Sequence, residues 1–198
     1  MNRAHAAALW AGDGSVLAGV SAAALHGSKW IDDTLPAELI RTGTARSPSG
    51  IIVHTDALLP DEITMRDGIA VTTAARTAFD LGRWLAVDPA IVAIDALCNA
   101  TKLERADVLQ LADRYPGARR ICQLRRVLDL VDGGAASPRE TMTRLLIVRE
   151  PPPPRDAGAD PGRAGRPRRR VGHRLGAMAV GCRVRRQRSL AKPHAALP

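Results

Sequence analysis

Apolar positions along the chain switch repeatedly between helical and strand spacing. Between Ser15 and Gly27, the residues Val16, Leu17, Val20 and Ala24 or Leu25 fall roughly on one helical face. Ala22-Ala23-Ala24 favours helix, so a short helix is predicted there, with Gly27 able to end it. Ala37-Glu38-Leu39-Ile40 and Ile51-Ile52-Val53-His54 read as strands. The Gly, Ser and Pro content of residues 43–50 supplies a turn between them and predicts an antiparallel pair. Ile63 to Met65 and Ile69 to Val71 flank Arg66-Asp67-Gly68, a hairpin signal through Asp-Gly.

From Thr73 the period becomes helical. Thr73 can cap a helix to about Leu85 that buries Ala75, Ala78, Phe79 and Leu85. Asp88 before Pro89 predicts a second start, and that helix carries Ile91, Ile94, Leu97 and Cys98. Thr101-Lys102-Leu103-Glu104 has capping-box spacing and precedes Val108, Leu111 and Ala112. Pro116-Gly117 breaks that segment. Residues 118–131 give another helix, with Ile121, Leu124, Leu128 and Val131 on one stripe. Arg119, Arg120, Arg125 and Arg126 sit largely off it. Ser137-Pro138-Arg139-Glu140 combines an N-cap serine, a first-position proline and a glutamate at N3. The helix it opens should bury Met142, Leu145 and Leu146 and run to about Arg149, because Pro151 to Pro154 cannot continue it.

Charge changes this picture at one place. The chain has 198 residues and a formal charge of +9. Residues 1–150 hold 17 basic and 18 acidic side chains, whereas residues 151–198 hold 12 and 2. The last 48 residues also contain 8 of the 14 prolines and 6 of the 17 glycines. The basic character is therefore confined to that stretch, and its composition predicts disorder. Its arginines would bind polyanions through electrostatics alone, since no aromatic residues are interleaved for base stacking.

No apolar run is long enough to span a membrane, and Met1 to Trp10 does not read as a signal peptide. Cys98, Cys122 and Cys182 are far apart and match neither a disulfide framework nor a zinc pattern. A reducing cytoplasm is expected.

Candidate chemistry is sparse. His26 reads as a helix-end contact to backbone carbonyls. His54 alternates with apolar residues and reads as solvent-facing. Asp80, Asp95 and Asp129 read as surface pairs or caps. Ser21 lacks the second glycine of a nucleophile elbow, and Ser137 reads as a cap. The arginines at 119, 120, 125 and 126 are the candidate nucleic-acid contacts. No metal-ligand spacing is present.

Three runs of residues carry a resemblance. They are Val16-Leu17-Ala18-Gly19-Val20-Ser21-Ala22-Ala23-Ala24-Leu25-His26-Gly27, then Asp67-Gly68-Ile69-Ala70-Val71-Thr72-Thr73-Ala74-Ala75-Arg76-Thr77-Ala78-Phe79-Asp80-Leu81, then Val131-Asp132-Gly133-Gly134-Ala135-Ala136-Ser137-Pro138-Arg139-Glu140. Over about residues 3–149 the chain resembles AbiEi-type antitoxins of type IV toxin–antitoxin systems. Members of this kind end in a domain similar to very-short-patch-repair endonucleases, which has the restriction-endonuclease-like fold. The resemblance implies an α/β (α+β) region of short strands and then helices over residues 1–131. Residues 132–150 would be the first helix of a nuclease-like domain, and residues 151–198 a basic tail.

Full-length members usually begin with a further segment that looks like a winged-helix DNA-binding domain, and here the chain starts about where that segment would end. Glu140 matches the nuclease-like domain's first-helix glutamate. In such a domain it would help hold a divalent metal such as Mg for DNA cleavage. The acidic strand residue, the Glu-Tyr-Asp-Gly word and the histidine that should follow are not in the chain. With no cofactor expected here, Glu140 is then a remnant without catalytic activity.

The tail can be encoded so that reading one base later restores related words. Cys182 to Ala191 yields Val-Glu-Tyr-Asp-Gly-Ser-Asp-His-Trp, and Arg155 to Pro161 and Gly172 to Leu175 yield strand-like words before it. A one-base frame shift near Arg149 is therefore expected, leaving a truncated family member. The alternatives are an antitoxin-like regulator that binds DNA or a cognate toxin, and a metal-dependent DNA endonuclease in the full-length ancestor.

Overall fold

The computed structural model describes residues 2–12, 14–41 and 47–149. The tail beyond residue 149, with the disorder and frame shift expected of it, lies outside the described residues, as do residues 43–46 of the turn expected at 43–50. The fold is α/β: seven helices and one five-stranded mixed sheet among the described residues.

The strands are β1 (Ser15–Leu17), β2 (Ala37–Arg41), β3 (Ile51–His54), β4 (Ile63–Arg66) and β5 (Ile69–Thr72), in the spatial order β3-β2-β1-β5-β4. β2 pairs antiparallel with β1 and parallel with β3, Ala37 opposite Ile51 and Ile40 opposite His54. The expected antiparallel pairing of Ala37–Ile40 with Ile51–His54 is thus corrected. The connection carries the chain back to the starting end of β2, where Ala37 N donates to Gly50 O at 2.9 Å. β4 and β5 form the expected antiparallel hairpin. Asp67 and Gly68 both take positive φ, 49° and 76°, as a type I′ turn requires.

Alternation along the sheet separates two cores. Ala37, Leu39, Ile51, Val53, Leu17 and Val71 pack under α1 (Asn2–Ala11) through Ala4, Ala7 and Ala11. No element was expected so early in the chain. The opposite face meets α2 (Gly19–Leu25) and α3 (Ala74–Trp84). The predicted helix from Ser15 to Gly27 is corrected in its first turn: Ser15 to Leu17 form a strand, and the helix begins at Gly19.

α3 is buried without interruption from Arg76 to Arg83, so it is a central helix rather than an amphipathic surface one. Thr73 caps it as expected, its Oγ1 accepting from Arg76 N. Around it pack α4 (Val87–Thr101), α5 (Arg105–Arg114) and α6 (Ile121–Leu128), which join Phe79, Leu81, Ile91, Ile94, Leu97, Val108, Leu124 and Leu128 in one core. Gly82 permits the α6 contact, because a Cβ there would lie 2.3 Å from Leu124 Cδ1. Gln123 Nε2 donates to the carbonyls of Gly82 and Leu85 at 2.9 and 2.8 Å, satisfying acceptors at the end of α3.

Two expected caps are displaced. Ala86, not Asp88, is the N-cap of α4, and Asp88 instead pairs with Arg149. Thr101 ends α4, and Glu104 with Asp107 forms the capping box of α5.

α7 (Pro138–Arg149) lies on α4. It buries Leu145 and Thr141, but Met142 and Leu146, expected to be buried, are 41% and 63% exposed. Its attachment is partly polar. Asp95 on α4 accepts from Thr141 Oγ1 at 2.8 Å, Arg144 Nη2 at 2.9 Å and Asp132 N at 2.7 Å. Asp95, read above as a surface aspartate, is buried because α7 covers it. Asp129 is exposed and pairs with Arg105, as expected of a surface residue.

Candidate functional site

Residues far apart in the chain meet at an open groove of about 480 Å³. Val53 and His54 come from the end of β3, with Thr55 and Asp56 following. Arg83 and Trp84 come from the last turn of α3, and Arg119 and Arg120 from the approach to α6. Arg120 holds a left-handed backbone, φ 61°, as the N-cap of α6. Its guanidinium reaches toward the carbonyls of Arg83 and Trp84 at 3.5 and 3.4 Å.

His54 stacks flat on Trp84, with ring centroids 3.5 Å apart and planes within 7°. The expectation that His54 faces solvent is corrected: alternation put it on one face of the sheet, and α3 covers that face. Behind it stands Glu38, whose Oε2 lies 3.9 Å from His54 Nε2, too far for a hydrogen bond. Burial pushes the Glu38 carboxyl up to about 7, against a backbone hydrogen bond from Val20 that pulls it down. Burial also holds His54 below its ordinary value, with Asp56 pulling it up and Arg83 pushing it further down.

Arg83 ties the groove to a buried network. Its Nη2 contacts Asp80 Oδ1 at 2.9 Å and Asp56 Oδ1 at 3.3 Å, and its guanidinium lies 4.5 Å from the Phe79 ring centroid. Asp80 also accepts from Arg76 Nε at 3.0 Å. Arg76 in turn reaches Glu62 and, at 2.9 Å, Ala57 O. Tyr115 Oη donates to Glu62 at 2.6 Å. Asp80 is therefore corrected from a surface pair to the buried centre of a charge chain. Burial pushes its carboxyl up to about 6, and the two guanidiniums pull it down.

Two buried polar atoms of the groove residues lack a partner: Arg83 Nε and His54 Nε2. Arg119 and Arg120 are exposed and make no ion pair among the described residues. The arrangement can take an anion on guanidinium groups beside a stacked aromatic pair.

The four candidate arginines do not act as one patch. Arg119 and Arg120 line the groove, Arg125 pairs with Asp113 at 2.7 Å, and Arg126 is exposed without lining the groove. Glu38, His54, Asp56, Arg83 and Trp84 escaped the sequence reading as one group. The adjacent Arg83-Trp84 at a helix end was the one local signal available.

Glu140 is remote from the groove in its chemistry. Its Oε2 accepts from Ala136 N at 2.9 Å, its Oε1 from Ser137 Oγ at 3.1 Å, and its own N–H donates to Ser137 Oγ at 3.3 Å. Both carboxylate oxygens serve the start of α7, and Arg139 and Arg144 share the hollow beside it. These residues do not fit a divalent cation, and among the described residues no group of three His, Cys, Asp or Glu could hold one. Ser21 Oγ accepts from Glu38 N at 2.9 Å, and His26 Nε2 bonds Thr72 O of β5 at 2.7 Å, so both are structural. The Cys98 thiol is buried and pushed up to about 11 by burial and by Asp95, which removes it as a nucleophile.

No helix among the described residues is long and apolar enough to cross a membrane. No family model matches the chain, and no curated protein or solved structure matches it.

Proposed function

We propose that the chain is a cytoplasmic DNA-binding regulator of the antitoxin-like kind, without nuclease activity, acting through the groove at His54, Trp84, Arg83, Arg119 and Arg120. The observation that carries this reading is the pair of exposed arginines, Arg119 and Arg120, which line the groove beside the stacked His54 and Trp84 and make no ion pair among the described residues. Phosphate oxygens are natural acceptors for exposed guanidinium groups. The use of both Glu140 oxygens in a helix cap supports the non-catalytic part of the reading.

A second reading is a cognate toxin as partner. It draws on Leu146, Ile147 and Val148, which α7 leaves 63%, 56% and 55% exposed.

The test is duplex DNA binding by the full chain over a salt series, alongside Arg119→Gln/Arg120→Gln. The basic tail is common to both proteins, so the difference reads the groove. Loss of two phosphate contacts should flatten the slope of log K against log salt by about 2. An unchanged slope and affinity would assign all DNA binding to the tail and end the groove reading. Metal-dependent cleavage by the full chain that Glu140→Ala abolishes would end the non-catalytic one.

A further inference from the structure

We propose that a second site, a cavity of about 310 Å³ between the α2–β2 loop, α4 and the start of α7, binds a small aromatic carboxylate. The inference is independent of the DNA reading and involves none of the groove residues. That volume is at the lower end of small-molecule pockets and suits a one- or two-ring compound.

Three features define the ligand. The walls mix apolar and polar residues, most of them small. Val92 and Ala96 of α4 face Ala136 and Pro138 at the start of α7, so no large side chain fills the space. Lys29 is the one charged residue lining it and makes no ion pair among the described residues. Trp30 brings an indole to the same cavity while remaining 68% exposed.

Trp30 is also held at φ 64°, a left-handed conformation that a bulky residue rarely adopts. A strained, exposed tryptophan beside a cavity whose one charged residue is an unpaired cation points to stacking on a ring and pairing with an anion. A concave site with a few placed polar groups is the usual form of a small-molecule site. The neighbouring Ser28 hydroxyl, buried without a partner, adds an unused polar atom to the same loop.

The test is calorimetric titration of the full chain with 1-naphthoate, and with 1-naphthalenemethanol as the uncharged comparator. Naphthoate should bind one-to-one and about five-fold more tightly than the alcohol, the worth of one partly exposed ion pair. Lys29→Gln should remove that preference and leave the alcohol's affinity unchanged. Ala96→Leu, which fills the cavity, and Trp30→Ala, which removes an exposed ring, should each weaken both ligands. Trp30→Ala guards against misfolding of the filled variant, and circular dichroism checks both. Equal affinities for acid and alcohol would overturn the proposal. So would naphthoate binding that neither Ala96→Leu nor Trp30→Ala weakens, which would place it on the tail arginines, and so would the absence of binding to the folded chain.

Discussion

A Cβ built on Gly19 would lie 1.7 Å from Glu38 Oε2, so the carboxylate occupies the space that any side chain at position 19 would need. Gly19 also sits at φ 53°. Two separate demands, a left-handed backbone and a missing Cβ, converge on one residue at the first turn of α2. Gly19→Ala should therefore destabilise the protein by about 2 kcal/mol or more. Chemical denaturation of Gly19→Ala, Glu38→Ala and the double variant would separate the causes. Strongly non-additive losses identify the clash, and purely additive losses would show that the backbone alone demands glycine.

Glu38 also sets a pH dependence. Its folded value is pushed up to about 7 from an ordinary 4.5, so between these values the folded state holds a proton that the unfolded state has lost. Its contribution is full below about pH 4.5 and is lost as pH rises through about 7, a change of roughly 3 kcal/mol. Asp80, pushed up to about 6, acts in the same direction. His26 and His54, both held low by burial, act in the opposite one, costing stability as pH falls below their ordinary value of 6.5. The difference curve between wild type and Glu38→Gln isolates the one group. Glu38→Gln should gain relative stability as pH rises from 4.5 to 8, and a flat difference would show that Glu38 titrates normally.

Local signals were legible in the sequence, and long-range ones were not. The Asp67-Gly68 turn, the Thr73 cap and the Ser137 cap each depend on backbone and side chains within four residues, and each is where the pattern placed it. β1 was hidden because Val16 and Leu17 run directly into the apolar positions of α2. The parallel pairing of β2 with β3 depends on how the intervening chain returns, which no spacing encodes. Arg76 and Asp80 stand four apart, a spacing shared with solvent-exposed helix pairs. Only Glu62, Phe79 and Tyr115 around them make the pair buried. Of the candidate site, Arg119 and Arg120 were visible as an arginine pair off a helical stripe. His54, Asp56, Arg83 and Trp84 needed the sheet and α3 to be brought beside them.

At Glu140, helix-capping and metal-binding roles predict different losses. Glu140→Ala removes two hydrogen bonds at the start of α7 and should cost about 1 kcal/mol. DNA affinity should stay at the wild-type value, since α7 contributes no residue to the groove. Thermal denaturation and the same DNA titration read both quantities. A stability equal to wild type would show that the cap is dispensable.

Arg76 gives the largest predicted effect. Its side chain lies between Glu62 and Asp80 with 2% of its surface exposed, and it stacks near Phe79 and Tyr115 at 5.4 and 5.5 Å. Arg76→Met keeps most of the apolar stem but leaves two buried carboxylates without their shared cation. Removing one partner of a buried pair costs about 3–5 kcal/mol, far more than the intact pair contributes over an apolar replacement. The groove should suffer too, because Asp80 would then rely on Arg83 alone and draw it from Asp56. Urea unfolding should show a lower midpoint with an unchanged slope. Adding Glu62→Gln and Asp80→Asn to Arg76→Met should restore part of the loss by neutralising the stranded charges. If Arg76→Met alone cost less than about 1 kcal/mol, the carboxylates would have to reach water or take up protons, and the network would not be the anchor of α3.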